Sequence, residues 1–474
     1  MTDCCSKPGA GDFDLAVIGA GSAGFSAAIT AAEAGARVAL VGHGTIGGTC
    51  VNVGCVPSKT MIRAAESLHA AKAASRFAGL SGEAHVTDWR RLVAAKDELV
   101  GDLRQKKYAD LLNSHENITY TEGAAQLAEN GVDVAGDLIR SQRIIIATGA
   151  RPGIPPIPGL NAVNYLTSTS LLDLETLPKS LIVIGGGFIG AEQAQMMARM
   201  GVAVTMVCRS RLLPQAEPEI SDALAEVFRK EGIRLYCGIA YDACRQDERG
   251  VTVCVKEGGE IVETKAERLL IATGRAPNTE AMRLAEGGVE LDQRGAIIVD
   301  DYMRTSKPGV YAAGDVTNKD QFVYMAAYGA KIAARNALNG DDLSYDNAAM
   351  PWVVFTDPQI AGVGMSDAGA KWLGREVKSS ILELDQLPRA LAARDTRGLF
   401  KLVAEPETGR LLGGQIMAPE GADSIQTLTL AIKAGMTAKE LGETIFPYLT
   451  TVEGLKLAAQ GFDRDVTKLS CCAG

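Results

Sequence analysis

Residues 14–41 read DLAVIGAGSAGFSAAITAAEAGARVALV, and residues 180–207 read SLIVIGGGFIGAEQAQMMARMGVAVTMV. In each stretch an apolar strand runs directly into a glycine-rich turn, a helix and a second apolar strand, which is the pattern of a buried parallel βαβ unit. Each stretch is followed later by an apolar strand that ends in Ala-Thr-Gly, around Thr148 and Thr273. The repeat predicts an α/β protein with two Rossmann-like, doubly wound nucleotide-binding domains.

Both turns spell G-x-G-x-x-G. In this fingerprint the first glycine makes the turn, the second lets a pyrophosphate approach the backbone, and the third packs the helix against the strand. The N-terminus of the following helix attracts the phosphates, so two dinucleotide sites are predicted. Their glycines are Gly19, Gly21 and Gly24 in the first turn and Gly185, Gly187 and Gly190 in the second.

The residue that ends the second strand of such a unit normally selects the ribose of the nucleotide. The first unit has Gly42 and His43 where an acidic side chain is expected, so we expect backbone near Gly44 to hold that ribose. The second unit also lacks an acid and has Arg209 and Arg211 there instead. Arginines at this point favour a 2′-phosphate, so the second site is predicted to bind NADPH.

Composition narrows the class of protein. The 474 residues suffice for about three domains, and the formal net charge of −9 argues against nucleic acid as the main partner. The sequence has no apolar run long enough to cross a membrane, and residues 1–12 contain no signal-peptide core, so a cytoplasmic protein is expected. The 10 cysteines are too few for a disulfide scaffold, and the close pairs at 4–5, 50–55 and 471–472 suggest redox or metal chemistry.

Residues 47–59 read GGTCVNVGCVPSK, with Cys50 and Cys55 five residues apart. Pro57 suits the first turn of a helix. The positive end of a helix favours the thiolate form of a nearby cysteine. The segment is therefore predicted to carry reactive thiols rather than two structural cysteines that are close by coincidence.

This segment resembles the redox-active segment of the pyridine nucleotide-disulfide oxidoreductases, a family of dimeric flavoproteins. The resemblance continues through ATG at Thr148, ATGRAPN at Thr273 and the pair Gly314-Asp315. It implies that FAD occupies the first nucleotide site and that Asp315 meets the flavin chain. FAD contacts are expected from Gly19, Gly21, Ser22, Gly24, Gly44, Gly48, Thr49, Lys59, Ala125, Thr148, Gly149, Gly314, Asp315 and Val323, and NADPH contacts from Gly185, Gly187, Phe188, Gly190, Arg209, Arg211 and Gly274.

The resemblance also implies residue roles and domain boundaries. Cys50 and Cys55 form a redox-active disulfide, with Cys55 nearer the flavin and Cys50 more accessible, while Lys59 lies near the flavin and pairs with Glu192. The expected domains are an FAD-binding domain at 1–155 that returns at 279–345, an NADPH-binding domain at 156–278, and a C-terminal α+β dimerisation domain at 346–474. The Pro-rich stretch RPGIPPIP, residues 151–158, is predicted to be an extended crossing between domains.

The C-terminal part departs from most disulfide-reducing members, which use a His–Glu pair as general acid and base. All four histidines lie before residue 116, and Tyr448 stands where the histidine belongs, while Glu453 keeps its place. An ordinary tyrosine, with a pKa near 10, is a poor proton shuttle at neutral pH. Reduction of an ordinary disulfide is therefore disfavoured.

The chain ends in SCCAG, with Cys471 and Cys472. A terminal dithiol suits capture of a soft, thiophilic cation and its transfer to another thiol pair. Together with FPYLTTVEGLKLAAQ at 446–460 and DPQIAGVG at 357–364, this ending resembles the branch of the family that reduces Hg(II). LPRALAARDTRG at 387–398 and AGMTAKEL at 434–441 point the same way.

The closer resemblance implies how a site would be assembled. The chain is expected to be a homodimer in which the tail, Tyr448 and Glu453 of one subunit complete the site of the other. Thiol-bound Hg(II) is the expected substrate, and its expected ligands are Cys50, Cys55, Cys471 and Cys472. No membrane or nucleic-acid partner is expected.

The sequence also leaves two other interpretations of the function open. One is a reductase of a small disulfide that uses Tyr448 in place of histidine, and another is a protein that sequesters a soft cation without turnover, which the two fingerprints argue against. Only Cys4-Cys5 precedes the first fingerprint, so the N-terminal metal-binding module of many Hg(II)-reducing relatives is not expected here. The pair is either a minimal metal-collecting tail or an incidental end. Phe188 stands where relatives often place a tyrosine over the nicotinamide, which leaves an aromatic gate without a hydroxyl.

Overall fold

The computed structural model describes residues 13–468. The terminal pairs Cys4-Cys5 and Cys471-Cys472 lie outside the described residues. The described chain divides into two compact units. The first unit comprises residues 13–58, 90–153 and 274–346, and the second comprises residues 59–89, 154–273 and 347–468.

The described chain contains both strands and α-helices from its start to its end. The strands are β1 (Leu15–Ile18), β2 (Val38–Gly42), β3 (Ile118–Glu122), β4 (Ala125–Ala128), β5 (Gly131–Val134), β6 (Asp137–Arg140), β7 (Ile144–Ile146), β8 (Ala150–Pro152), β9 (Leu166–Thr167), β10 (Ser180–Ile184), β11 (Ala203–Cys208), β12 (Arg234–Cys237), β13 (Ala240–Asp247), β14 (Gly250–Glu257), β15 (Glu260–Ala266), β16 (Arg268–Ile271), β17 (Arg275–Pro277), β18 (Val310–Ala312), β19 (Pro351–Val354), β20 (Gln359–Gly364), β21 (Lys378–Glu383), β22 (Leu399–Ala404) and β23 (Leu411–Ala418). The α-helices are α1 (Ser22–Glu33), α2 (Gly48–Asn52), α3 (Cys55–Lys72), α4 (Trp89–Arg104), α5 (Asp110–Asn113), α6 (Phe188–Arg199), α7 (Pro218–Lys230), α8 (Val323–Asn339), α9 (Asp367–Trp372), α10 (Pro388–Ala393), α11 (Gly421–Lys433), α12 (Ala438–Glu443) and α13 (Glu453–Gln460).

The first unit is built on a parallel sheet with strand order β18-β7-β1-β2-β3. Helices α1 and α8 pack together against this sheet. On another side Ala16 and Ile18 share a core cluster with Val132 and Val134 of the antiparallel sheet β4-β5-β6. Both faces of β1 are therefore buried, which explains its uninterrupted apolar sequence.

The second unit repeats this plan. Its parallel sheet has the order β12-β11-β10-β16-β9. Ile182 and Ile184 of β10 share a core with Val251 and Val253 of the antiparallel sheet β13-β14-β15. The predicted pair of doubly wound α/β modules is thus confirmed, and helices α1 and α6 follow the two glycine turns directly.

The C-terminal part of the second unit is an antiparallel sheet with the order β19-β20-β23-β22-β21. Phe400, Leu402 and Ile416 of this sheet form a core with Leu428 of α11 and Leu455 of α13. This is the α+β architecture expected for the C-terminal region. The finer domain boundaries at 155, 278 and 345 stay a prediction.

One of the chain's passages from the first unit to the second lies between Gly153 and Ile154, inside the Pro-rich stretch, and the chain returns from it between Thr273 and Gly274. Across residues 13–468, no helix is both long and apolar enough to cross a membrane.

Candidate active site

The first glycine fingerprint forms the turn between β1 and α1. Gly19 has a φ of +114°, and a Cβ there would lie 2.3 Å from the carbonyl oxygen of Ala147. A Cβ on Gly24 would lie 1.7 Å from the carbonyl oxygen of Gly19, because α1 packs directly on the turn. Only glycine fits either position, and the result is a close-packed turn that leads into a helix N-terminus.

The cysteine segment rests on this turn. The amide of Gly47 donates to the carbonyl of Ala20 over 2.8 Å. Gly48 has a φ of +67°, and a Cβ there would lie 2.6 Å from the Cα of Gly21. The fingerprint and the segment that carries the thiols therefore form one local structure within the first unit.

The two cysteines occupy adjoining helical segments. Cys50 lies in α2 and Cys55 is the first residue of α3, with Pro57 in the first turn as the sequence predicts. Both side chains are half-buried. Cys55 thus sits at the positive end of an 18-residue helix, where the thiolate is stabilised.

Asn52 and Arg104 fix the conformation of this segment, and sequence reasoning missed both. The Asn52 amide donates to the carbonyls of Ile46 and Gly48, each over 2.9 Å. The Arg104 guanidinium, at the end of α4, donates to Asn52 Oδ1 over 3.1 Å. A hydrogen-bonded chain therefore holds the backbone before Cys50.

Tyr108 is a second residue that the sequence did not reveal. Its hydroxyl lies 3.2 Å from Ser22 Oγ, and its ring meets the Phe25 ring edge-on at 5.0 Å. Burial raises the pKa of Tyr108, and the nearby Cys50 and Cys55 raise it further. Tyr108 is thus a neutral hydroxyl at the first glycine turn, and its ring lies against Gly47 of the cysteine segment.

The Ala-Thr-Gly motif contacts the later ATGRAPN motif within the first unit. Thr148 Oγ1 donates to the carbonyl of Asn278 over 2.7 Å, and Asn278 Nδ2 donates to the carbonyl of Thr148 over 2.9 Å. The amide of Asn278 donates to the carbonyl of Gly149 over 3.0 Å. The two motifs therefore brace each other at the edge of the first dinucleotide site.

Gly314 and Asp315 lie between the helices of the first unit. A Cβ on Gly314 would lie 3.1 Å from the Cβ of Ala23 and 3.2 Å from that of Ala326. Burial raises the pKa of Asp315, while Arg275, whose Nε is 3.4 Å from the carboxylate, lowers it. Arg275 Nε is buried without a hydrogen-bond partner, so this corner has polar capacity that a bound ligand would use.

The remaining FAD candidates fall on the same unit, except Lys59. Ser22 begins α1, Ala125 begins β4 and Val323 begins α8, while Gly44 lies in the loop after β2 and Thr49 in α2. A cradle that only glycine permits, together with the polar corner at Asp315, fits a dinucleotide such as FAD.

The second fingerprint has the same close backbone contacts at its first and third glycines as the first fingerprint, and it differs at its middle glycine. A Cβ on Gly185 would lie 2.2 Å from the carbonyl of Ala272, and a Cβ on Gly190 would lie 2.2 Å from that of Gly185. Gly187, by contrast, would place a Cβ in open space. The middle glycine is therefore required by no protein contact, which fits a position kept clear for a pyrophosphate.

The two arginines near this turn are not equivalent. Arg209 is exposed. Arg211 donates from Nη2 to the carbonyls of Pro214 and Ala216, and its Nε is buried without a partner. Arg209 is thus the better placed of the two for a 2′-phosphate, and Arg211 also holds its own loop.

The other two NADPH candidates lie in different units. Phe188, the first residue of α6, belongs to the second unit, and its ring stacks on that of Trp352 at a centroid distance of 5.3 Å. Gly274 belongs to the first unit.

Lys59 and Glu192 are brought together in the second unit. Lys59 Nζ lies 2.7 Å from Glu192 Oε2, and the carboxylate is almost fully buried. Glu192 Oε1 accepts the amide of Phe355 over 2.9 Å, and Lys59 Nζ lies 4.9 Å from the centre of the Phe355 ring. The ammonium group is therefore fixed by a buried carboxylate and an aromatic face.

Glu453 begins α13 and is buried, whereas Tyr448 is 49% exposed. Burial raises the pKa of Glu453, and its Oε2 has no hydrogen-bond partner. Within residues 13–468 no group of three or more His, Cys, Asp or Glu side chains could hold a metal ion.

Comparison with known proteins identifies the family to which this chain belongs. Residues 13–333 match the model of the pyridine nucleotide-disulfide oxidoreductases, and residues 350–459 match the dimerisation domain of the same family. The chain belongs to the pyridine nucleotide-disulfide oxidoreductase family. The dimerisation match supports the expected homodimer, and this family membership confirms the predicted fold class.

Relatives within the family are similar over almost the whole chain. The mercuric reductase of Bacillus cereus is 47% identical over 465 residues, which are 98% of this chain and 73% of that protein. The mercuric reductase of Streptomyces lividans is 45% identical over 98% of each chain. Among solved structures, the flavoprotein disulfide reductase RclA of Escherichia coli, as its Cu(II) complex, has a TM-score of 0.84 at 31% identity, covering 95% of this chain and 99% of that one.

Proposed function

We propose that this family member is a mercuric reductase, which transfers two electrons from NADPH through FAD to thiol-bound Hg(II) and releases Hg(0). The observation that carries the proposal is the redox segment itself, with Cys50 and Cys55 on a glycine cradle and Tyr448 in place of the acid–base histidine. Similarity to mercuric reductases over 98% of the chain supports it. The proposed location is the cytoplasm.

The overall reaction balances without further reagents. One NADPH, one proton and one Hg(II) held by two thiolates give NADP⁺, Hg(0) and two thiols. When bound, FAD supplies the two-electron relay between the pyridine nucleotide and the thiol pair. The reduced product, Hg(0), leaves without taking up a proton, so the reaction does not need a histidine placed to protonate a leaving substrate thiol.

The residues of this chain have separate tasks in that reaction. Cys471 and Cys472 exchange for the ligands of the incoming complex, and Cys50 and Cys55 then take the metal, so that each step replaces one thiolate by another. The ammonium group of Lys59 supplies a positive charge that Glu192 holds in place, and Tyr448 and Glu453 orient the metal–thiolate complex. Gly185, Gly187 and Arg209 hold NADPH.

A reductase of small disulfides is the second candidate. The similarity to RclA, whose name describes a flavoprotein disulfide reductase, favours it. The two functions differ in their need for a proton donor to the leaving thiol, for which Tyr448 is poorly suited.

Steady-state oxidation of NADPH decides between them. The purified flavoprotein is given Hg(II) in excess thiol, and separately glutathione disulfide or lipoamide. We expect oxidation with Hg(II) at least a hundredfold faster than with either disulfide. Oxidation with a disulfide alone would establish the second candidate instead.

A further inference from the structure

A second close thiol pair lies in the second unit, outside the redox segment. Cys208 is the last residue of β11 and Cys237 the last residue of β12, and the two are directly opposite in the parallel register. Their Sγ atoms are 3.2 Å apart. Two thiols this close can act on one ligand together.

The two thiols differ in access and acidity. Cys208 is buried, whereas Cys237 is half-buried and can be reached from solvent. A hydrogen bond from the Cys208 thiol lowers the pKa of Cys237 to about 7, and the charge of Arg229 favours the same thiolate. Cys237 is therefore both the more accessible and the more acidic thiol of the pair.

We propose that Cys208 and Cys237 form a second soft-metal site, which takes a two-coordinate thiophilic cation such as Hg(II). Binding forms two metal–sulfur bonds and releases the protons that the two thiols carry and the cation's former ligands, with no change of oxidation state. Two thiolates and a divalent cation make a neutral complex, and burying a neutral complex costs much less free energy than burying an unpaired charge. Since no third His, Cys, Asp or Glu joins a metal-binding group among residues 13–468, the site suits a two-coordinate cation rather than tetrahedral Zn²⁺.

The site is coupled to the nucleotide turn. A Cβ on Gly186 would lie 3.0 Å from Cys208 Sγ, so this sulfur packs beneath the second fingerprint, and Arg209 follows it directly. A linear complex with metal–sulfur bonds of about 2.3 Å would need sulfurs about 4.6 Å apart. The two sulfurs must therefore move apart when the metal binds. Because Cys208 Sγ lies beneath Gly186, this movement weakens NADPH binding. The second consequence rests on the proposed NADPH site.

Differential alkylation tests the site without turnover. The holoenzyme, without NADPH, is equilibrated with HgCl₂ in a monothiol buffer that outcompetes single cysteines, pulsed with excess N-ethylmaleimide, and analysed by peptide mass spectrometry. We expect Hg(II) to slow alkylation of Cys237 at least tenfold in the wild type and in a Cys244→Ala/Cys254→Ala control, whose two cysteines are buried on β13 and β14. In Cys208→Ala the slowing should be less than twofold.

Equal protection of Cys237 in Cys208→Ala, or none in the wild type, would overturn the site. If Cys208→Ala does not fold, Cys237→Ser serves instead, and it should retain one equivalent of Hg(II) fewer after gel filtration.

Calorimetric titration with NADP⁺ tests whether the metal site is coupled to the nucleotide turn. Hg(II) should lower the affinity for NADP⁺ at least fivefold in the wild type and the control but not in Cys208→Ala. An unchanged affinity in the wild type would overturn the coupling. The alkylation experiment would still decide whether the metal site exists.

Discussion

At the scale of single residues, the proposed reaction depends on Cys50 and Cys55. Serine keeps the size of the side chain but neither binds Hg(II) strongly nor carries electrons as a thiol pair does. Cys50→Ser and Cys55→Ser should each lower kcat for Hg(II) by roughly 10³ or more, with FAD content unchanged. NADPH oxidation measures the effect, with Cys244→Ala as the control. More than a tenth of wild-type activity in either variant would remove that cysteine from the mechanism.

Glu192 has two separable tasks, because one oxygen pairs with Lys59 and the other accepts the Phe355 amide. Glu192→Gln keeps an acceptor for the amide but loses the charge, whereas Glu192→Ala loses both. Both variants should slow flavin reduction by NADPH about tenfold. Only the alanine variant should also lose about 1–3 kcal/mol of unfolding free energy, since the partly buried N–H of Phe355 loses its charged acceptor.

Stopped-flow absorbance of the flavin and thermal unfolding measure these two effects of Glu192. If Glu192→Gln reduced flavin at the wild-type rate, the charge pair would be structural only.

The sequence reveals some site residues and conceals others for a physical reason. Gly19, Gly24 and Cys55 are constrained by neighbours a few positions away, so their spacing carries the signal. Tyr108 and Arg104 reach the thiol segment from a distant helical region, and no local pattern marks them. Arg211 was expected to bind phosphate, but its loop also gives it carbonyl partners, which only the folded backbone shows.

At the scale of elements, the turn between β10 and α6 separates a folding role from a binding role. Gly190 is locked against Gly185, whereas Gly187 faces open space. Gly190→Ala should therefore destabilise the protein by at least about 2 kcal/mol. Gly187→Ala should change stability by less than about 0.5 kcal/mol, yet raise KM for NADPH about tenfold.

Thermal unfolding and NADPH titration check the two glycine variants side by side. An unchanged KM in Gly187→Ala would show that the turn does not receive the pyrophosphate.

The elements themselves differ in how far the sequence defines them. The βαβ modules were predictable because strand, turn and helix are consecutive and the parallel strands are uniformly apolar. The order β19-β20-β23-β22-β21 was not, since it depends on side-chain packing between segments far apart in the chain. There the sequence supports only the architecture, α+β.

At the scale of the whole molecule, the proposal requires the tail of one subunit to serve the thiols of the other. A heterodimer is prepared from one Cys50→Ser/Cys55→Ser subunit and one Cys471→Ala/Cys472→Ala subunit. It has one complete site if the tail acts across the dimer, and none if the tail acts within its own subunit. We expect roughly half of wild-type turnover with thiol-bound Hg(II), from one intact site of two.

Either homodimeric parent should be much less active than this mixed dimer under the same conditions. A mixed dimer no more active than the better parent would contradict delivery by the partner subunit.

The reduction of Hg(II) itself is tested most directly by following both products at once. Purified holoenzyme is given NADPH and Hg(II) in excess thiol, while NADPH absorbance and headspace mercury are recorded together. We expect one Hg(0) to be released for each NADPH oxidised, and neither product from the Cys50→Ser/Cys55→Ser enzyme. NADPH oxidation without volatile mercury would show that Hg(II) is not the electron acceptor.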